Sequence, residues 1–477
     1  MEWSGKMEWM DYISYTRTKI SEGFFYSFWY IFHLFGKIQI EYILIVIVFS
    51  WILFIIYLKV SYPFWFIQPV YHTYNIYPRF ARDPYIIQNR SPRKTTFCDF
   101  KNIVTIPYEL LSELQKQSLL RLLLAHYIDS DSIFLSLTGF DIDLLFRGQK
   151  YSSYISFFTQ EKFIQDQNMV DEEIEQEKQE TKKSLIYRTI DWENSLGCMI
   201  SRPIWIFFSS FSNDIAITPT VAYYWDYICI HRDHKTRNLS RNLIQTNAFN
   251  IRMIQPSIYA SLFKKETYLC PSVVPLTKYT THTYFLHNSN ITNLSSQYKI
   301  NRIQKSNMQL WEDFIDMIKS PEWSVLFDIS LINDIGTYSS WILSEKWLVY
   351  ILTYREKDQT DYDIGAVYIF QDPKIIYEVS ENPNGLPALQ FIASVNIMLP
   401  DLLFFRGFLH ALRDAVRQNV EKTFRVLLFE TISHNSSLLQ RWQERNVPSL
   451  ETDTALYLYN MVCPGSPIIP ERVLCLV

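Results

Sequence analysis

An α/β or α+β body built on a mixed sheet, preceded by one N-terminal transmembrane helix, is the architecture that this 477-residue sequence predicts. Three observations carry it. Strand-like apolar runs alternate with helical patterns along most of the chain, as in a mixed sheet flanked by helices. One run near the N-terminus is uncharged for nearly the depth of a bilayer. The composition, 48% hydrophobic and 20% charged, supplies a large core and excludes a chain disordered throughout.

The elements follow in chain order. Tyr42 to Leu58 reads YILIVIVFSWILFIIYL, bracketed by Glu41 and Lys59. At helical rise this run covers about 26 Å, close to a hydrocarbon core. Tyr42 and Tyr57 sit near its ends, where interfacial aromatics belong. The shorter stretch Phe24 to Phe35 suits an interfacial segment, and no small-residue cleavage site follows the long run. Glu109 to His126 places leucines at helical spacing and predicts an amphipathic helix, ended by the polar loop Tyr127 to Ser132. Gln160 to Lys183 is charged and nearly free of aromatics, so it is expected as an exposed loop or solvated helix. Strands are expected at Pro203–Phe208, Ala222–Ile230, Trp347–Thr353, Ala366–Phe370 and Arg425–Phe429, with helices at Phe408–Gln418 and Ser436–Arg445. The last five residues, Val473 to Val477, are apolar to the final position and predict a strand buried to its end, unlike most frayed termini.

The sequence removes several chemistries. Only 11 glycines are present and none forms a G-x-G, so the Walker A loop, the dinucleotide fingerprint and G-x-S-x-G are all missing. The six cysteines show no C-x-x-C pair and are read as reduced thiols; no metal site is predicted. His231 and His234 alone are too few for a metal and read as part of a polar loop. A formal charge of −4 gives no electrostatic reason to bind nucleic acid. One arrangement is informative: the strand Ala222–Ile230, the basic loop HRDHKTR and a helix starting near Asn238 aim backbone N–H groups and positive charge at one point. A pyrophosphate would suit that point, and a plain basic β–α connection fits the pattern equally well.

Several segments resemble N-myristoyltransferases (glycylpeptide N-tetradecanoyltransferases). Tyr62-Pro63-Phe64-Trp65-Phe66-Ile67-Gln68-Pro69-Val70 is similar to that family's Y-K-F-W-x-T-Q-P-V opening. Asp226-Tyr227-Ile228-Cys229-Ile230-His231-Arg232 resembles its N-F-L-C-V-H-K strand, and Lys235 to Ser240 stands where the family has R-S-K-R-V-A. Leu458-Tyr459-Asn460 with Cys463-Pro464 matches L-Y-N-W-K-C-P. The order and separations hold across roughly 415 residues of a chain this long.

The resemblance implies two GNAT-like acyltransferase halves around a pseudo-twofold axis, residues 61–280 for acyl-CoA and 281–477 for the peptide groove, behind an anchor region at residues 1–60. Myristoyl-CoA would be the co-substrate and proteins with an N-terminal glycine the acceptors, acted on by a monomer with its body on the cytoplasmic face. Tyr62, Phe64 and Trp65 would contact the CoA, and the turn Lys235, Thr236, Arg237, Asn238, Leu239, Ser240 would hold its phosphates. The backbone N–H groups of Tyr227 and Ile228 would form the oxyanion hole, and Tyr127, Glu451 and Asn460 would border the substrate. The α-carboxylate of Val477 would be the general base. A free α-carboxyl has a pKa of about 3.5 in water, and apolar burial would raise it toward that of the amine it must deprotonate. Departures exist: the family's K-F-G-x-G-D-G falls at Asn446–Thr452, keeping only Glu451, the T-A-G segment becomes Tyr259-Ala260-Ser261, and Pro63 replaces a lysine. A catalytically inactive acyl-CoA or peptide-binding protein of the same fold is the alternative.

Overall fold

The computed structural model describes residues 40–165, 186–209, 219–270, 272–286, 293–320, 325–355, 363–379, 382–417 and 423–477. The chain divides into two units, residues 1–66 and 67–477. Within the first, helix α1 spans Ile40–Ser61, apolar on every side. Among the described residues it is the one helix long and apolar enough to cross a membrane. The uncharged run and this helix coincide because nothing between Glu41 and Lys59 offers a polar face to a core. The Phe24–Phe35 stretch lies outside the described residues.

The second unit is built on a sheet of 16 strands among the described residues. Its first five principal strands are β1 (Ile103–Pro107), β2 (Tyr154–Phe158), β3 (Gly197–Phe208), β4 (Thr220–Ile230) and β5 (Ala260–Glu266). Helices α2 (Glu113–His126) and α3 (Gly139–Phe146) lie between β1 and β2, and α4 (Leu239–Ile254) lies between β4 and β5. Neighbours β1 to β4 pair antiparallel, while β4 and β5 run parallel. Strand β6 (Thr277–Phe285) follows, and then the same sequence of pairings recurs. Strand β7 (Tyr298–Arg302) is followed by α5 (Gln309–Lys319), the short β8 (Ile329–Ile332) and α6 (Ile335–Leu343). Strands β9 (Trp347–Tyr354), β10 (Asp363–Gln371) and β11 (Asn382–Asn396) come next, with α7 (Asp401–Val416) before β12 (Val426–Glu430). Antiparallel pairs β7–β9, β9–β10 and β10–β11 end in the parallel pair β11–β12. After α8 (Asn435–Gln443), strand β13 (Leu450–Tyr459) pairs with both β6 and β5 and joins the two runs into one sheet. Strand β14 (Val473–Leu476) closes the chain, parallel to β8, which pairs antiparallel with β3.

Local chemistry accounts for the boundaries. Helix α2 starts at Glu113 rather than at Glu109, because Ser112 and Gln115 form a reciprocal capping box that supplies two orphan helix N–H groups. Thr138 and Asp141 do the same for α3. Each expected strand is present, and β3 and β10 begin several residues earlier than their apolar runs suggest. Glu451 lies in β13. The first residues of the charged segment, Gln160–Gln165, form a strand with Ile186–Asp191 instead of a loop or helix, and 166–183 lie outside the described residues. A buried aromatic core of Trp311, Tyr338, Trp341 and Trp347 joins α5 and α6 to the sheet, and α7 and α8 cover Phe370, Phe391 and Phe429.

Candidate active site

The site begins with a register shift. Cys198 pairs with Cys229 and Ile200 with Asp226, so Tyr227 and Ile228 together face the single residue Met199. That is a β-bulge, and Tyr227 carries it with φ 45°, a left-handed conformation uncommon for a side-chain-bearing residue. The parallel pairing of β4 with β5 covers only Ala222–Trp225, so the ladder between them ends just before Asp226. A matching shift occurs on β11: Phe370 pairs with Phe391 and Ile369 with Ala393, leaving Ile392 as the extra residue just beyond the parallel pairing with β12.

Asp226 organises the bulge. Its Oδ1 accepts the Tyr227 backbone N–H at 3.0 Å, and its Oδ2 accepts Arg202 Nη2 at 2.9 Å. Arg202 is a lone cation inside an otherwise apolar strand, and its guanidinium lies over the rings of Tyr224 and Trp341. The Tyr127 ring, at the end of α2, sits 5.1 Å from that of Tyr227.

Beyond Ile230 the basic turn is a short 3-10 helix, Arg232–Arg237, ending at Asn238 with φ 55°. Helix α4 follows without a side-chain cap, so its first N–H groups are left to water or a ligand. Lys235 Nζ pairs with Asp129 at 2.6 Å and Arg232 donates to the Ile128 carbonyl, tying the turn to the loop after α2. The Lys235 bond and charge hold the Asp129 carboxyl below its usual range.

The C-terminal strand sits in polar surroundings that the sequence does not reveal. The Leu476 carbonyl accepts both Asn333 Nδ2 at 2.9 Å and the Tyr338 hydroxyl at 2.8 Å, while the Asn333 backbone N–H donates to that same hydroxyl oxygen at 2.7 Å. Val477 is half-buried and packs against the apolar cluster that contains Ile204, Tyr224 and Val473. The Cys475 thiol is pushed up to about 12, first by burial and then by the charge of Glu430. Glu430 in turn accepts Lys264 Nζ at 2.7 Å, Tyr279 OH at 3.0 Å and Gln390 Nε2 at 2.5 Å. Burial, then Asp226, raises the Tyr224 hydroxyl, with Cys475 adding to the effect and Lys264 and Arg202 opposing it.

The remaining expected residues belong to other elements. Tyr62, Phe64 and Trp65 belong to the first unit, with the Phe64 and Trp65 rings 5.0 Å apart. Glu451 faces His282 across the β6–β13 ladder, with Oε1 3.3 Å from Nδ1. Asn460 is engaged on all sides: its amide donates to the Gln88 and Tyr259 carbonyls and its Oδ1 accepts the Gln88 N–H. It lines a cavity of about 250 Å³ with Gln68, Arg252 and Tyr459. Among the described residues no group of His, Cys, Asp or Glu could hold a metal. Arg202, Asp226, Lys264 and Glu430 were missed from sequence; Arg202 and Asp226 could have been flagged as single charges inside long, mainly apolar strands, whereas Lys264 and Glu430 stand at strand ends where charges are ordinary.

No family model matches the sequence, and no curated protein matches it. Solved structures do. Saccharomyces cerevisiae N-myristoyltransferase with bound myristoyl-CoA aligns at a TM-score of 0.56 and 10% identity, over 86% of this chain and 94% of that one. The same enzyme with myristoyl-CoA and inhibitors aligns at 0.58 and 10%, over 87% and 94%. This is the N-myristoyltransferase fold. Within that fold the bulge, the uncapped α4 and the terminal strand are the features with chemistry to offer, and at this identity the likeness speaks for the fold alone.

Proposed function

We propose that the chain is a membrane-anchored protein N-myristoyltransferase, moving the acyl group of myristoyl-CoA to the amine of an N-terminal glycine. The observation that carries the reading is the left-handed bulge at Tyr227–Ile228, in the same sheet as, and two strands (β3 and β8) removed from, a terminal strand whose last carbonyl accepts two hydrogen bonds. The two runs of strands are read as GNAT-like halves, residues 61–280 and 281–477, about a pseudo-twofold axis. Helix α1 is the anchor, and the cytosolic supply of CoA thioesters puts the body on the cytoplasmic face.

The chemistry needs few groups. A peptide α-amine has a pKa of about 8 and is mostly protonated near neutrality. The Val477 carboxylate takes one of the three ammonium protons; the freed nitrogen attacks the thioester carbon; the C–S bond breaks and the CoA thiolate leaves, taking up a second proton from the nitrogen, which keeps the third as the amide N–H. Backbone N–H groups of Tyr227 and Ile228 face the oxygen as it gains charge, a task indifferent to side chains, so family Phe-Leu can become Tyr-Ile. The turn Lys235 to Ser240 holds the CoA phosphates, and Tyr127, Glu451 and Asn460 border the acceptor.

One observation favours a second reading, an inactive acyl-CoA-binding protein: the Tyr227 N–H already donates to Asp226. The full chain in detergent, incubated with myristoyl-CoA and peptides beginning in Gly or in acetylated Gly, separates the two. CoA release that requires the free glycine amine supports transfer. Binding of myristoyl-CoA without release supports the second reading and refutes the first.

A further inference from the structure

Two buried cations beside the bulge have no full set of partners. Arg202 is 2% exposed, and its Nε and Nη1 find no acceptor among the described residues. The Nζ of Lys346, a residue 8% exposed and just before β9, makes no hydrogen bond or ion pair among the described residues, although its carbonyl accepts the Asp372 N–H. Both heads lie over the Trp341 indole, Arg202 Cζ at 5.4 Å and Lys346 Nζ at 5.2 Å from its centroid. Asp226 is the one carboxylate among the described residues paired with either cation, through Arg202, and its other oxygen is engaged as well. Lys374 takes both Asp141 and Asp372, and Asp334 accepts Trp205 Nε1 and the Lys150 N–H. Buried donors are almost always satisfied, and a buried cation without an anion is costly. Burial, then the charge of Arg202, holds Lys346 down to about 7, as a site lacking its anion would.

We propose that Arg202 and Lys346 form a subsite for a carboxylate carried by the amine acceptor. Arg202 keeps open N–H groups at Nε and Nη1, on either side of the Nη2 held by Asp226, and a charge-assisted bond from a guanidinium N–H suits a carboxylate. Cations this deeply buried suit a single small anion rather than a pyrophosphate, for which the turn Arg232–Arg237 is available. The acceptor is the substrate whose reacting end reaches the bulge, and Arg202 is joined to Tyr227 through the single carboxylate of Asp226. The inference rests on the transfer reading for the identity of the ligand. The carboxylate is either an acidic side chain within a few residues of the acceptor amine, at about 3.3 Å per residue of extended chain, or the α-carboxylate of a free amino acid.

Binding tests it without transfer. The full chain in detergent is loaded with a non-transferable thioether analogue of myristoyl-CoA and titrated with fluorescent Gly peptides carrying Asp or Asn at the second, third or fourth position. At one of these positions the Asp peptide, or else free glycine as a competitor, binds about tenfold more tightly than the neutral counterpart (the Asn peptide, or glycinamide), and the choice between them names the source. Lys346→Met, which replaces a buried charge by apolar volume, collapses the ratio to near one; Lys346→Arg retains it. Equal binding of all pairs by the wild-type protein overturns the subsite, as does a ratio that survives in Lys346→Met. Carboxylate preference without CoA release from myristoyl-CoA leaves the subsite standing and removes the transfer reading. Release with no carboxylate preference does the reverse.

Discussion

Tyr338→Phe probes the clamp on the chain end with the removal of one oxygen. That hydroxyl donates to the Leu476 carbonyl and accepts the Asn333 N–H. The carbonyl keeps Asn333 Nδ2 and so loses about 0.5–1 kcal/mol, one net hydrogen bond. The Asn333 N–H is left buried without an acceptor, a penalty of about 1–3 kcal/mol. Together these put the cost at roughly 1.5–4 kcal/mol, felt where β8 meets β14. If Val477 is the base, loosening its neighbour degrades proton transfer more than binding, since a displacement near 1 Å costs about a hundredfold in rate. The assay is glycine-peptide-dependent CoA release, with chemical denaturation run on the same preparations. The expected result is a kcat about 10- to 100-fold lower at an unchanged KM for myristoyl-CoA. A variant that loses stability yet keeps its kcat would refute the claim that the clamp positions the base.

Three further outcomes follow from the same coordinates. Asp226→Asn leaves Arg202 buried without its counter-charge and should cost about 3–5 kcal/mol, while adding Arg202→Met should recover much of it, as a double-mutant cycle in denaturant would measure. Gly148→Ala meets both a positive φ of 73° and the Gly336 backbone 2.2 Å from the new Cβ, so a loss of more than about 3 kcal/mol and poor recovery of folded protein are expected. His434, stacked on Phe327 and accepting the Asn396 N–H at 2.8 Å, is held down to about 4 by burial and then by Arg472. Its unfolded pKa is near 6.5, so below that value the unfolded chain binds the extra proton; stability is full above about pH 6.5 and falls on acidification toward 4. Replacing His434 with Asn should flatten that part of a pH–stability profile.

Reading the chain from its residues worked where one local pattern decided the outcome. The uncharged run became α1, the apolar tail became β14, and the aromatic strand, basic turn and helix became β4, the 3-10 turn and α4. It failed where long-range pairing decides. Strand β11 carries Pro383, Gly385 and Pro387, three residues that read as turn, yet its far end pairs with β10 and its middle with β12. Nothing local marks β14 as parallel to β8, and nothing joins Arg202 to Asp226 except a hairpin register containing a bulge. Asn460 was recognisable from the L-Y-N motif, but its engagement with the Gln88 and Tyr259 backbones depends on where two distant loops come to rest.

The central claim concerns the last atom group of the chain. Extending Val477 by a single glycine moves the free carboxylate one residue onward while leaving every strand in place. CoA release with a glycine peptide should then fall at least a hundredfold, with affinity for myristoyl-CoA unchanged and no proton-accepting group to replace the loss. Release at the wild-type rate from the extended chain would contradict the account.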